Sequence, residues 1–444
     1  MVRYKIRKEF FGALAWDSKN KSYIGLANSF FNILQSKKNR EKVDKISEKL
    51  LQKYEFINET GINFLITKDK SIQSDFVDFP LRVHLAVSQK CNMDCSHCFF
   101  QNNVVQSLPR GVYEDELRIS DFSRLFKEMV ANGCYELFIG GGEPFTRKDI
   151  IEILQEADRS GVEMIKIFTN GTLLTEKIVE KLNRIKNLYY LSVSMESPER
   201  EEYTRIRGDF YNVLLRNLKL LSEKAKFKVF IRWSIGKNTI DNYREIIDFC
   251  IKVGVPNVKV RPIMPAGNAL LNQELIPSYK EYLKFLCKIL EYGKKRKIHV
   301  EGSFMLHYGP TLRFSRKIIG FSKFVPLYTG FGGQGGYTSV YIDYRGFVSF
   351  CAMANNLFPP GPHDNIREEA LSELWFKALS LQKKRGLKGN KKCLNCKYFP
   401  TCRGGCGVRA YYQYGDFNMP DPWCLKDLER KDEKLIAKVK KLMG

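Results

Sequence analysis

Three cysteines stand within eight residues in "CNMDCSHC", spaced C-x3-C-x2-C as Cys91, Cys95 and Cys98. Thiolates this close together bind a soft metal, zinc or an iron–sulfur cluster, and a closed structural site takes four ligands. Three on one loop therefore leave one coordination position to fill. A distant histidine would make a zinc loop, and an open position would admit an external ligand. A second group lies near the far end of the chain: Cys393, Cys396, Cys402, Cys406 and Cys424, spaced C-x2-C-x5-C-x3-C-x17-C, with Cys351 upstream. Taken alone, such paired cysteines read as a zinc ribbon. Cys134, Cys250 and Cys287 stand apart, the last two inside apolar helical patterns, where a cysteine is a small buried hydrophobe.

Composition limits where this chemistry takes place. At 444 residues, 44% hydrophobic and 27% charged, the chain has the balance of a globular protein with two or three domains. No apolar run is long enough for a membrane span, and the first residues, "MVRYKIRKEFFGALAWD", lack the plain apolar stretch of a signal peptide. A cytoplasmic location is expected. There the twelve cysteines stay reduced, which favours metal over disulfides. The net charge of +24 is large, yet most basic residues alternate with acids, and only "KKRK" (294–297) and "KKRGLKGNKK" (383–392) form clusters. A solvated basic face, or attraction for an acidic peptide or small anion, accounts for the charge, and no nucleic-acid partner is expected.

The elements that must hold these residues alternate regularly from about 81 to 265. Short apolar strands ("LRVHLAVS", "YELFIG", "MIKIFTNG", "YYLSVSM", "KVFIRWSI", "VKVRPIMP") are separated by segments with apolar residues at three-to-four spacing. Six such β/α units predict a parallel sheet with right-handed crossovers, an open or partial barrel. Chemistry in such barrels sits at the C-terminal ends of the strands. The cysteine loop follows the first strand and "GGGEPF" (140–145) the second. "TNG" (169–171) follows the third, Ser194 and Glu196 end the fourth, and Arg261 lies in the sixth. Consecutive glycines let backbone approach a ligand closely, and Glu143 beside them offers a negative group to a cation such as an ammonium.

"CNMDCSHC" followed one β/α unit later by "GGGEP" resembles the radical S-adenosylmethionine enzymes over about residues 81–265. The resemblance implies that Cys91, Cys95 and Cys98 hold three irons of a [4Fe–4S] cluster whose fourth iron is chelated by S-adenosylmethionine. One electron from the cluster would then break the C5′–S bond, and the 5′-deoxyadenosyl radical would abstract a substrate hydrogen. By the family's pattern His97 packs near the adenine, and Gly141, Gly142 and Glu143 bind the methionine amine. Thr169, Asn170, Ser194 and Glu196 lie near the ribose or the methionine carboxylate, and Arg261 near that carboxylate.

The C-terminal cysteines, with Gly346 four residues ahead of Cys351 in "GFVSFC", resemble the SPASM extension of the same enzymes, which houses auxiliary iron–sulfur clusters. The resemblance assigns Cys393, Cys396, Cys402 and Cys424 to one auxiliary [4Fe–4S] cluster. Cys351 and Cys406 belong to another that is short of ligands. The family places a further cysteine in the window 330–336, where this sequence reads "GFGGQGG".

The first residues, read as two or three strands followed by two helices, resemble the recognition element for ribosomally made precursor peptides. That element is a winged-helix fold that takes a leader peptide as an added strand. A structural cap and a DNA-binding winged helix are the competing readings. The expected whole is an α/β protein: a small winged-helix-like α+β domain (1–78), a partial (β/α)6 TIM-type barrel (79–300) and a Cys-rich iron–sulfur extension (301–444). The expected activity is peptide maturation by a crosslink or epimerisation. The partners would be a precursor peptide with its leader and an electron donor such as flavodoxin or ferredoxin. An anaerobic small-molecule enzyme of the haem-pathway decarboxylase type is the alternative.

Overall fold

Alternating inward and outward side chains build the central sheet of this computed structural model, which describes residues 2–9, 11–71, 77–100, 115–302, 337–355, 357–358, 360–383, 391–396, 399–402 and 404–443. Six parallel strands form as the alternation predicts: β7 (Arg82–Ser88), β8 (Glu136–Gly141), β9 (Met164–Thr169), β10 (Leu188–Met195), β11 (Lys228–Ile235) and β12 (Asn257–Pro262). Crossover helices between them include α3 (Ile119–Ala131), α4 (Ile150–Arg159), α5 (Glu176–Leu182), α7 (Tyr211–Lys224) and α8 (Tyr243–Lys252). Each buries an apolar stripe, as Phe122, Leu125, Phe126 and Met129 do for α3. One helix, α6 (Arg200–Arg207), was not foreseen; its charged sequence "REEYTRIR" buries only Tyr203, Ile206 and Arg207.

Three further strands lengthen the sheet to nine. β13 (His299–Gly302) continues it beyond β12, and β14 (Ser339–Ile342) pairs in parallel with β7 on the other side, followed by antiparallel β15 (Val348–Ser349). The C-terminal region thus covers the edge of the first barrel strand, which would otherwise offer unpaired backbone. The window 330–336 lies outside the described residues.

The N-terminal unit is a four-stranded sheet in the order β3-β2-β1-β6, from β1 (Tyr4–Glu9), β2 (Gly12–Asp17), β3 (Ser22–Ala27) and β6 (Phe64–Lys68). Helices α1 (Asn28–Lys38) and α2 (Lys45–Lys53) follow β3, and a two-residue-per-arm hairpin of β4 (Ile57–Asn58) and β5 (Gly61–Ile62) precedes β6. The hairpin and β6 correct the expectation of strands followed only by helices. The segment "FLITK" is short, and its pairing in parallel with distant β1 leaves no local mark in the sequence.

This unit is fastened to the barrel by buried polar contacts at the N-terminal ends of the strands. The Tyr23 hydroxyl lies 3.0 Å from the Leu81 carbonyl and 2.9 Å from that of Gly133, and accepts from the Tyr135 amide at 3.1 Å. Arg7 donates to the carbonyls of Asn132 at 2.7 Å and Phe79 at 2.6 Å. Just ahead of β9, Glu163 accepts from Lys5 at 2.6 Å, Trp16 at 2.9 Å and Lys21 at 3.0 Å. Burial alone would push the Glu163 carboxyl up; these hydrogen bonds and charges outweigh it and hold the group at about 2. Phe11, Leu14, Trp16 and Tyr23 belong to the barrel's apolar cluster, so the unit shares that core.

Candidate active site

The loops after β7 and β8 are stitched together by backbone. Gly142 donates to the Ser88 carbonyl and Glu143 to that of Lys90, each at 2.8 Å, so the glycine segment lies directly against the residues that lead into Cys91. This contact explains why glycines are needed. Gly141 has φ of +120°, and a side chain there would meet the Ser88 carbonyl at 2.4 Å. A Cβ on Gly142 would lie 2.3 Å from the Lys90 carbonyl oxygen and 2.6 Å from that of Gln89. Because both obstacles are backbone, Gly142→Ala must push the cysteine loop aside. We expect cofactor cleavage to fall by about 10²-fold, the usual effect of an ångström-scale misplacement. Cleavage rate beside an unchanged far-ultraviolet circular dichroism spectrum checks this.

A cavity of about 550 Å³ opens at the C-terminal ends of the strands, within the usual range for small-molecule sites. Cys91, Cys95 and Cys98 line it, and Gly141, Gly142, Glu143, Thr169, Asn170, Ser194, His97 and Arg261 line it with them. The structure therefore brings together all but one of the barrel residues singled out in the sequence. The exception is Glu196. Its carboxylate is fully buried and does not line the cavity; it accepts from the Arg207 guanidinium, at 2.8 Å for Nη2, and faces His97 Nε2 at 3.3 Å. Glu196 thus reaches the cavity through Arg207 and His97, which both line it, and α6 supplies an arginine that the strand pattern did not reveal.

Glu143 is buried and strongly positioned. One carboxylate oxygen accepts from the Thr169 hydroxyl at 2.7 Å and the Phe145 amide at 3.1 Å, the other from the Asn170 amide at 2.7 Å. Burial pushes its carboxyl up in spite of these donors. A cationic group arriving in the cavity would favour the charged form. The Asn170 side chain donates to Asn92 at 2.8 Å, tying the end of β9 to the cysteine loop.

The thiols suit a metal cluster. Burial raises the Cys91 thiol and pushes that of Cys95 up to about 12, with Arg207 opposing the shift, so only a bound metal would make both thiolates. His97 Nδ1 is a buried polar atom without a hydrogen-bond partner. Among the described residues no three Cys, His, Asp or Glu side chains converge on the position of one ion. Thiolates on separate irons of a cluster do not need to converge in that way.

In the C-terminal region Cys393, Cys396, Cys402 and Cys424 line one small cleft together with Lys392 and Lys426, and the Lys426 ammonium lies 3.7 Å from the Cys396 sulfur. Burial pushes the Cys402 thiol up to about 12, with Cys424 next in effect. The Cys351 thiol is pushed up to about 11, by burial first and then by Cys406, which places those two near one another. Buried Asp421 accepts from the amides of Cys406 at 2.8 Å and Trp423 at 3.0 Å and pairs with Arg409. Trp423 in turn stacks flat on Tyr279, their centroids 4.8 Å apart, and both rings line the main cavity.

Sequence reasoning missed other walls of the cavity, among them Phe99, Phe100, Phe138, Phe168, Arg207 and Arg232. The period-two alternation of "ELFIGG", "MIKIFT" and "KVFIRWSI" carried the signal for Phe138, Phe168 and Arg232.

Residues 85–268 match the family model of the Radical SAM superfamily, and residues 334–404 that of SPASM, an iron–sulfur cluster-binding domain. An AdoMet-dependent heme synthase from Methanosarcina barkeri is 30% identical over 346 residues, spanning 76% of this chain and 93% of the relative. A PqqA peptide cyclase from Granulibacter bethesdensis is 22% identical over 357 residues, spanning 78% of this chain and 88% of the relative. In fold, the chain is similar to Streptococcus suis SuiB bound to its precursor peptide SuiA, with a TM-score of 0.72 and 19% identity over 94% of this chain and 97% of that one.

Proposed function

Because the chain belongs to the radical SAM superfamily and carries its SPASM domain, we propose that it is a maturase acting on a ribosomally made precursor peptide. The observation that carries this reading is the N-terminal unit. Its sheet ends in β3 on one side and β6 on the other, and a leader peptide can add a strand to such an edge. A small-molecule enzyme has no need of that unit, and the fold likeness to a peptide-bound maturase extends over 94% of this chain.

Cys91, Cys95 and Cys98 would hold the barrel cluster, and Cys393, Cys396, Cys402 and Cys424 an auxiliary one. When bound, the barrel cluster and S-adenosylmethionine supply hydrogen-atom abstraction from an unactivated position. Gly141 and Gly142 would present backbone to the cofactor, and Glu143, oriented by Thr169 and Asn170, would receive its ammonium. Ser194 and Arg207 line the same cavity. Phe99, Phe100, Tyr279 and Trp423 wall the chamber with apolar surface and exclude water. The electron donor would be a flavodoxin or ferredoxin in the cytoplasm. Among the described residues no helix is long and apolar enough to cross a membrane.

The second reading, a tetrapyrrole-modifying enzyme, is favoured by the 30% identity to a heme synthase. A peptide test separates the two. A short peptide encoded beside this gene, deuterated throughout, should pass deuterium into 5′-deoxyadenosine. Removing its leader should weaken binding by about 10²-fold, the gain that a second attachment point brings. The leader is the part to delete, because the N-terminal unit of the enzyme shares the barrel core. Equal binding with and without the leader would make that unit a cap and restore the small-molecule reading.

A further inference from the structure

The lumen of the barrel carries more positive charge than its own carboxylates match. Arg82 and Lys166 share Glu136, with Arg82 at 3.2 Å; Arg207 holds Glu196 and Lys259 holds Glu301 at 2.7 Å. Two cations on the same inward alternation, Arg232 of β11 and Arg261 of β12, have no carboxylate in salt-bridge range among the described residues. Their guanidinium groups rest on rings instead, Arg232 at 4.5 Å from the centroid of Phe168 and Arg261 at 5.6 Å from that of Phe99.

The strand register places these two side by side. Arg232 pairs with Lys259 and Arg261 with Ser234, so the arginines sit diagonally on adjacent parallel strands and both line the cavity. Burial lowers both, Arg232 to about 10, and Arg261 is lowered further by Arg232; Glu196, already paired with Arg207, opposes this only in part. Two guanidiniums that repel each other in a desolvated chamber form a site for an anion, and a carboxylate matches their planar donors. β11 and β12 stand three and four strands from β8, whose end carries the glycine segment proposed for the cofactor.

We propose that Arg232 and Arg261 together bind a carboxylate of the substrate, on the wall of the chamber opposite the glycine loop, so that Arg261 serves the substrate in place of the cofactor carboxylate that the family resemblance implies for it. This rests on the cavity being the reaction chamber, and holds for an acidic peptide side chain or for a propionate of a small molecule.

The test uses the full-length, cluster-reconstituted protein saturated with S-adenosylmethionine and without reductant, so that the cofactor's own carboxylate is already placed. Calorimetric titration compares acetyl-Ala-Glu-Ala-amide with its glutamine twin, and iron coproporphyrin III with its methyl ester. In at least one pair the acid should bind about tenfold or more tightly than its neutral twin. The preference should be lost in Arg232→Gln and partly kept in Arg232→Lys, with affinity for S-adenosylmethionine unchanged in both. A preference confined to the tetrapyrrole pair would uphold this site and defeat the peptide reading. The proposal is overturned by neither acid being preferred in the unaltered protein, by a preference that survives in the variants, or by an equal fall in cofactor affinity. The last would assign the arginines to the cofactor. The comparison in the unaltered protein stands even if Arg232→Gln does not fold.

Discussion

Replacing Cys91, Cys95 and Cys98 together by alanine is expected to reduce S-adenosylmethionine cleavage to background while leaving about four irons per chain, the content of one cubane. The retained iron would belong to Cys393, Cys396, Cys402 and Cys424, which line a cleft separate from the main cavity. Cys351 and Cys406 supply only two thiols between them and would hold at most a smaller, labile cluster. Iron analysis with Mössbauer spectroscopy on anaerobically reconstituted protein decides the matter. About eight irons in the triple variant would refute the single auxiliary cluster, and zinc taken up in preference to iron would sink the radical assignment of both sites.

The second large effect is on stability. Glu196→Gln removes the anion that matches buried Arg207, leaving a cation enclosed beside Met93 and the cysteine loop. Breaking one side of a buried pair is destabilising by about 3–5 kcal/mol. The double variant with Arg207→Met should recover much of that, because both charges are then gone. Burial alone would raise the Glu196 carboxyl, but Arg207 and His97 outweigh it and hold it well below the ordinary carboxylate range. A carboxyl depressed on folding contributes stability above its unfolded pKa of about 4.3, and that contribution is lost as the pH falls towards the folded value. The gap in denaturant midpoint between the native protein and Glu196→Gln should therefore be constant near neutrality and close below about pH 4. A gap that does not depend on pH would remove the ion pair as its cause.

Much of the barrel could be read from the chain because its signals are local. Six apolar strands with helical stripes between them place the Cys91 loop, the Gly141–Gly142–Glu143 segment, Thr169, Asn170, Ser194 and Arg261 at one end of one sheet, and the structure gathers them around one cavity. What escaped depends on partners distant in sequence. Alternation shows that Arg232 faces inward but not that it has no carboxylate partner among the described residues. It shows Glu196 at a strand end but not that Arg207 of α6 will claim it. β6 and β14 are short strands whose partners, β1 and β7, lie far away in the chain, and register across such distances has no signature in a single sequence.

The N-terminal unit grips the barrel at the beginnings of β7, β8 and β9, whereas the cavity opens where those strands end. A leader docked on that unit, as proposed, would be a tether whose contour runs the height of the barrel before its core enters the chamber. β10, at eight residues, measures about 26 Å at about 3.3 Å per residue. Extended peptide covers at most about 3.6 Å per residue, so a spacer of fewer than about eight residues cannot reach the mouth. A much longer spacer lowers the effective concentration of the core, falling as about the three-halves power of its length. The enzyme would thus act as a ruler, selecting which residue of a precursor is modified by its distance from the leader.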